Sequence, residues 1–450
     1  MSNVIKIRKG YDIKLAGAAE QKFGATPSVS HYALIPDDFN GVIPKLEARE
    51  GDKVLAGDPV FYSKEDDRIK VCAPVSGEIA EVVRGEKRKI LAIRILPDSD
   101  VQYRDFGAAK PSDLSREDVV ERMLKSGVWA SLQMRPYGRM AKPDDTPKAI
   151  FISGMNSNPL APDMNFVMSG QEKEFQAGLD ALSKLTEGKI HLSLEAGVKS
   201  CPAFEGAQGV VKHQFDGPHP AGNVGTQIHH IDPINKGEVV WTMNPQDVVV
   251  LGRLFLEGKY RPERIVALTG SQVEAPQYYK LTSGASLKGL FEAGIKGDNN
   301  RYISGNVLTG RNAGKEGYLG YNDEQLTVIP EGDETEFLGW ILPGFGKFSL
   351  SRTFFSWLTP NKKYELNTNM HGEERAFVVT GQYEQVFPFN IYPQQLIKAV
   401  MIKDIELMES LGIYEVTEED FALCEVICTS KLPLQETMRE GLDFMYNEMN

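Results

Sequence analysis

The chain has 450 residues, room for about three domains, and its 41% hydrophobic and 25% charged content is that of an ordinary soluble globular protein. Its net charge is −12, and residues 401–450 alone hold 12 acidic and 3 basic side chains. That balance argues against nucleic acid, which needs a basic footprint, and against direct binding to anionic lipid.

Met1–Gly10 mixes charged and apolar residues without an apolar core, and no run approaches ~20 apolar residues. Four cysteines (Cys72, Cys201, Cys424, Cys428) are too few to staple a chain of this length. These features predict a cytoplasmic protein in a reducing compartment.

Residues 1–100 read as β-rich, with alternating runs such as Val4–Ile7 and Lys89–Ile95 broken by Gly-Asp and Pro turns. A helix is predicted over 113–126, capped by Ser115 with acids at Glu117 and Asp118. Lys148–Ser153 and Lys189–Leu194 read as buried parallel strands around a helix from Gln171 to Leu185. Val239–Trp241 and Val248–Val250 read as further β structure. Strand and helix alternate, so a doubly wound α/β domain is expected over 101–255. Arg264–Gly270 and Tyr278–Leu281 predict a hairpin, followed by a helix from Ser286 to Ala293, the order of a β-grasp unit over 256–330. Residues 331–450 form a last domain, mainly helical after 388, with Pro393–Leu411 and Glu418–Cys428 the clearest helices.

Several segments invite a chemical reading. The loop Gly154–Pro159 follows the first α/β strand but carries one glycine, whereas a dinucleotide fingerprint needs closely spaced glycines at a helix N-terminus. His213, His219, His229 and His230 fall within eighteen residues. His219 sits in a turn, and His229 and His230, read as strand neighbours, would face opposite ways, so satisfied loop histidines are favoured over a metal. Cys424 and Cys428 are four apart, which would put both thiols on one helix face; a cluster needs four thiolates, so buried cysteines are favoured. Thr282–Ser286 resembles the tag that flavin transferases phospho-link, but Tyr278 and Tyr279 stand where the tag wants an acid, and a turn with a helix cap suffices. Residues 339–360 hold Trp340, Phe345, Phe348, Phe354, Phe355 and Trp357 with Lys347 and Arg352. That composition fits a docking surface or a quinone-side wall, with an internal strand pair the favoured alternative.

Glu50–Val54, Gly57–Val60 and Ala73–Ile79 resemble the paired Gly-Asp turns and Pro-x-x-Gly turn of biotinyl and lipoyl domains. The resemblance implies a flattened barrel-sandwich whose modified lysine would sit on a hairpin tip. Here that tip is Glu65-Asp66-Asp67-Arg68, without an acceptor. The opening Ile5–Gln21, the block Gly217–Gly222 with Gly225-Thr226, the block Leu342–Gly344 with Lys347–Ser349 and Arg352–Phe354, and Ala422–Cys424 with Cys428 resemble the A-subunit family of the Na+-translocating NADH:quinone oxidoreductases. That family is similar in turn to the C subunit of Rnf complexes and to the flavin-bearing NADH-oxidising subunit of complex I.

The resemblance implies four parts: a biotinyl/lipoyl-like barrel-sandwich (1–100), a Rossmann-like domain (101–255), an SLBB-like β-grasp (256–330) and a helical C-terminal domain (331–450). In the complex I relative a glycine-rich loop cradles flavin phosphate; Gly127–Tyr137 stands there, with Trp129 among its bulky side chains. The acid-rich loop is Gly154–Pro159, with no carboxylate until Asp163, and the cluster cysteines are reduced to Cys424 and Cys428. The expectation is a subunit without flavin, NADH, metal or cluster of its own, and with no catalytic residue. FMN, FAD and iron–sulfur centres are expected on partners. The family implies a peripheral position on the cytoplasmic face of the bacterial inner membrane, docked chiefly on the B subunit with C as a further candidate. It also implies a role in coupling NADH oxidation and ubiquinone reduction to Na+ export, with ubiquinone a candidate ligand. An Rnf-type electron-carrying subunit is the alternative.

Overall fold

The computed structural model describes residues 4–292, 294–334, 336–339 and 341–449. Ala293, the expected end of a helix, and Trp340, in the aromatic stretch, lie outside the described residues.

The barrel-sandwich is built from two antiparallel sheets. One orders Tyr32–Leu34, Ile90–Pro97, Gly77–Arg84 and Lys53–Val54; the other orders Pro44–Leu46, Pro59–Ser63 and Lys70–Cys72. Alternation turns Phe61, Val71, Ile79, Ile93 and Ile95 inward to form its dry centre, and Val60 joins them at a register shift between Pro59 and Phe61. The Gly-Asp pairs act as turns. Gly57 has φ +96°, where a Cβ would strike the Phe106 ring at 2.8 Å, and the Asp58 carboxylate accepts from the Leu55 N–H at 2.8 Å.

Two strands from the first thirty residues join other sheets. Val4–Lys6 pairs in parallel with Val210–Asp216 at the edge of a seven-stranded sheet, and Glu20–Phe23 pairs with Gln277–Thr282 at the edge of a six-stranded one. The N-terminal extension therefore ties the α/β and β-grasp units together before the chain enters the barrel-sandwich.

The seven-stranded sheet runs Val4–Lys6, Val210–Asp216, Lys189–Glu195, Ala149–Ser153, Val240–Thr242, Gln133–Arg135, Arg139–Met140; the first five are parallel, and Gln133–Arg135 pairs antiparallel with both its neighbours. The helix Arg116–Ser126 begins with the expected capping box between Ser115 and Asp118. Val248–Val250 are not β structure: they lie in the helix Pro245–Glu257. Asn244-Pro245 starts that helix, and ten of its thirteen residues are buried, so packing on both flanks outweighs the weak helix propensity of three valines. His229 and His230 are also helical, within Val224–Ile231, rather than strand neighbours.

In the β-grasp unit the hairpin Glu263–Thr269/Gln277–Thr282 precedes a short helix, Lys288–Glu292, and Glu263–Thr269 then pairs in parallel with Gln325–Pro330. Leu287, Leu290 and Phe291 anchor that helix on the sheet.

The described residues of 331–392 are largely irregular, with short 3-10 turns at Phe355–Leu358 and Tyr383–Gln385. No strand pair forms among the described residues of 339–360. Gly344, Gly346, Pro343 and Pro360 interrupt any ladder. The C-terminal helices are Pro393–Met401, Ile405–Ser410, Ala422–Ile427 and Leu434–Met449. The stretch read as one helix to Leu411 breaks at Lys403, with φ +55°, and Asp404 caps the next helix by accepting from the Leu407 N–H at 3.0 Å. Leu434–Met449, the longest helix described, was not singled out by its sequence; Leu434, Met438, Leu442 and Met445 form its buried stripe.

Candidate functional site

Gly127–Tyr137, the segment expected to stand at a flavin cradle, is part of the core. The helix Arg116–Ser126 ends at Gly127, and the chain enters a 3-10 turn, Val128–Ser131, whose four residues are all buried. Trp129 is fully buried, meets the Trp241 ring edge-on at 5.5 Å, and donates its indole N–H to the Ala141 carbonyl at 2.8 Å. A phosphate site needs exposed backbone N–H groups at a helix N-terminus; this buried turn instead follows the C-terminus of Arg116–Ser126.

The rest of the segment links domains. Arg135, 5% exposed, pairs with Glu419 and, at 3.3 Å, with fully buried Asp420 of the C-terminal domain. Burial raises the Asp420 carboxyl above the usual range, and Arg135 opposes that rise. Tyr137 packs edge-on against Tyr414 and Tyr446, and its carbonyl accepts from Arg439 at 2.8 Å. Arg139 donates to the Gly41 carbonyl at 2.8 Å and to Glu65 at 3.1 Å, reaching into the barrel-sandwich.

The hairpin tip Glu65–Arg68 is also tied to a neighbouring domain. Arg68 pairs with Asp66 at 2.7 Å and with Asp144 of the α/β domain at 2.6 Å. Beside it an open depression of about 540 Å³ is lined by Lys45, Lys64, Glu65, Asp67 and Arg68, among others. Those charged walls do not make the apolar slot that a ring-shaped ligand needs.

In the loop Gly154–Pro159, Met155 is buried, Ser157 hydrogen-bonds His219 Nδ1 at 3.1 Å, and the Pro159 carbonyl accepts from Gln325 at 3.0 Å. Asp163, the first carboxylate after the loop, caps the helix Met164–Met168 by accepting from the Asn165 N–H at 2.8 Å.

The four clustered histidines do not converge. His219 is buried in its turn, and desolvation lowers its pKa to about 4. His229 accepts from the Asn390 N–H at Nε2, so its Nδ1–H faces Glu415 at 2.6 Å. His230 donates to the Thr226 carbonyl one turn back. His213 instead meets His191 of the neighbouring strand at 2.8 Å, and His191, stacked on Phe151, is held neutral by burial with a pKa of about 4. Sequence proximity hid that pair; alignment of the two parallel strands would have suggested it. Among the described residues no three or more His, Cys, Asp or Glu side chains are grouped to hold a metal.

Cys424 lies on the helix Ala422–Ile427, but Cys428 is past its end in extended backbone, so the two do not share a helix face. Both are buried; Tyr383 donates to Cys428 Sγ at 2.8 Å, and desolvation pushes the Cys424 thiol well up. A buried thiol held protonated in this way, as at Cys424, is inert. Thr282–Ser286 is likewise internal: Ser283 accepts from Arg264 Nε at 3.0 Å, and Arg264 also pairs with buried Asp247.

Known proteins share this organisation. The family profile described as "NqrA N-terminal barrel-sandwich hybrid domain" matches residues 5–98, "NqrA second alpha/beta domain" matches 114–260, and "NQRA C-terminal domain" matches 265–315. The chain is 40% identical over 443 residues to the A subunit of the Na(+)-translocating NADH-quinone reductase of Hahella chejuensis, covering 98% of each. It is 38% identical over 442 residues to the corresponding A subunit from Yersinia pseudotuberculosis, again with 98% of each covered. With the counterpart from Rhodopirellula baltica it shares 37% identity over 452 residues, 99% of each.

Proposed function

This chain belongs to the A-subunit family of the Na(+)-translocating NADH-quinone reductases, and from that premise we propose that it is the cofactor-free, peripheral member of its complex. It is a subunit of a sodium-translocating oxidoreductase of the respiratory chain, and other subunits of that complex are its partners. No helix among the described residues is long and apolar enough to cross a membrane.

The observation that carries the proposal is that the side chains of the segment expected to hold a cofactor are committed to the fold. Trp129 supplies core volume, and Arg135 and Arg139 bind acids and carbonyls of neighbouring domains. Cys428 is engaged by Tyr383. The chain would then work as a rigid scaffold: it docks on the membrane B subunit, with C as a further contact, on the cytoplasmic face, and it borders the quinone region. FMN, FAD and iron–sulfur centres, with the electron transfer they support, would reside on partners.

The buried, hydrogen-bonded cysteines weigh against the alternative of an Rnf-type electron carrier, which needs accessible thiolates. The test is an absorbance spectrum with flavin and iron analysis on the purified chain, followed by capture of B from a strain lacking this subunit. A colourless, iron-free protein that captures B is expected. Stoichiometric flavin or iron would restore the electron-carrier reading, and a failure to capture B would remove the docking partner.

A further inference from the structure

The segment between the β-grasp unit and the C-terminal helices has a surface unlike the rest of the chain. From Phe337 to Tyr364 there are four basic residues (Lys347, Arg352, Lys362, Lys363) and no acidic one, in a protein of net charge −12. Acids bound the stretch on either side, at Glu336 and Glu365. Large apolar side chains stand out in solvent along it: Phe337 is 86% exposed, Ile341 65%, Phe345 63% and Trp357 50%, with Leu342 and Leu358 beside them. Scattered exposed apolar residues are normal, but a group this dense marks a contact surface.

The base of the segment is fixed to the body of the protein. Tyr364 is buried and pairs with the N-terminal extension, its N–H donating to the Lys14 carbonyl at 2.8 Å and its carbonyl accepting from the Ala16 N–H at 3.0 Å. Phe348 packs on Tyr11 at 5.1 Å, and Lys14 Nζ donates to the Pro360 carbonyl at 2.6 Å. Phe345 and Phe355 lean together at 5.9 Å. The exposed rings are therefore presented by an anchored loop. Arg352 and Lys363 are exposed on it and form no ion pair among the described residues, whereas Lys347 pairs with Glu336.

We propose that the described residues of 337–363 are an interfacial membrane contact, with their apolar side chains entering the headgroup–acyl boundary of an anionic bilayer and the basic ones meeting its headgroups. Trp and Phe beside Lys and Arg, without acids, is the composition that partitions to that boundary. Basic side chains close to an anionic surface add attraction over a Debye length of about 8–10 Å. The local sign thus reverses what the whole-chain charge suggests. An irregular backbone also suits the hydrated headgroup zone and not the hydrocarbon. A membrane subunit is the less favoured occupant, because cytoplasmic loops of such proteins are themselves rich in Lys and Arg and would repel this rim. That preference rests on the cytoplasmic placement proposed above.

The test is sedimentation of the isolated full chain with vesicles, so that it does not depend on docking to B. Vesicles of phosphatidylglycerol with phosphatidylcholine are compared with phosphatidylcholine alone, at low and high salt. Binding to the anionic vesicles, weakened by salt, is expected. Phe345→Ser with Trp357→Ser should reduce it at least tenfold, as should Arg352→Glu with Lys363→Glu, with unfolding midpoints unchanged because these side chains are exposed. Absence of wild-type binding, equal binding to neutral vesicles, or unaltered binding by both double variants would overturn the proposal. If the lone chain ignored vesicles yet the variants lost B in the capture experiment, the surface would be assigned to a protein partner instead.

Discussion

Trp129→Ala tests most directly whether the expected flavin position is structural core. The indole is fully buried in the hydrophobic centre of the α/β domain, and truncating such a side chain costs about 3–5 kcal/mol in transfer and cavity terms. Two further losses place this site near the upper end of that range. The edge-on contact with Trp241 at 5.5 Å contributes about 1 kcal/mol, and the Ala141 carbonyl loses its indole donor, about 1 kcal/mol more. Trp129→Phe keeps a ring against Trp241 but removes the donor and part of the volume, for about 2 kcal/mol. Urea unfolding followed by circular dichroism should order the proteins wild type, Phe, Ala, and neither variant should gain affinity for FMN. An Ala variant within about 1 kcal/mol of wild type would refute the filled-core reasoning, as would one that took up FMN stoichiometrically.

Arg135→Met should destabilise by about 3–5 kcal/mol, because it leaves buried Asp420 without its cation, and adding Asp420→Asn should restore part of the loss in a double-mutant cycle. His219 stays neutral in the fold down to about pH 4, whereas in the unfolded chain it titrates near 6.5, so its contribution is present above pH 6.5 and is lost as pH falls toward 4. The stability difference between wild type and His219→Gln should therefore shrink by about 3 kcal/mol from pH 7 to pH 4; a flat difference would contradict it. Asp38 runs the other way: burial raises it to about 7, so its contribution is full below about pH 4 and is lost as pH rises through 7. Asp38→Asn should consequently flatten that decline in urea titrations. Gly17→Ala would bring a Cβ to 2.2 Å from the Gly270 carbonyl oxygen at φ +97°, and should cost about 2 kcal/mol or more. Hydrogen exchange should quicken in Glu20–Phe23 and stay unchanged inside the barrel-sandwich.

Local signals were legible where short-range physics decides them. The Ser115 capping box, the Gly57-Asp58 turn and the apolar strands Ala149–Ser153 and Lys189–Glu195 form from residues within a few positions of each other. The loss of the carrier lysine and the bulk of Trp129 were equally readable, because each is a property of one position. Local pattern misled where tertiary burial overrode propensity, as in Val248–Val250, or where Lys403 in a left-handed conformation split one apparent helix into two. The aromatic stretch misled for a third reason. Its composition suits a strand, but its glycines and prolines deny it a ladder, and Phe345, Phe355 and Trp357 end in solvent.

Residue identity and spacing along the chain were enough to establish the family, the kinds of unit present and the absence of a glycine-rich cradle. Which groups meet was settled by the folded chain: His191 with His213, Arg135 with Asp420, Arg68 with Asp144, and Val4–Lys6 with a strand some two hundred residues away. Such pairings follow from how sheets and helices close their shared core, and burial, rather than any local pattern, favours the neutral form of His191 and raises the Asp420 carboxyl.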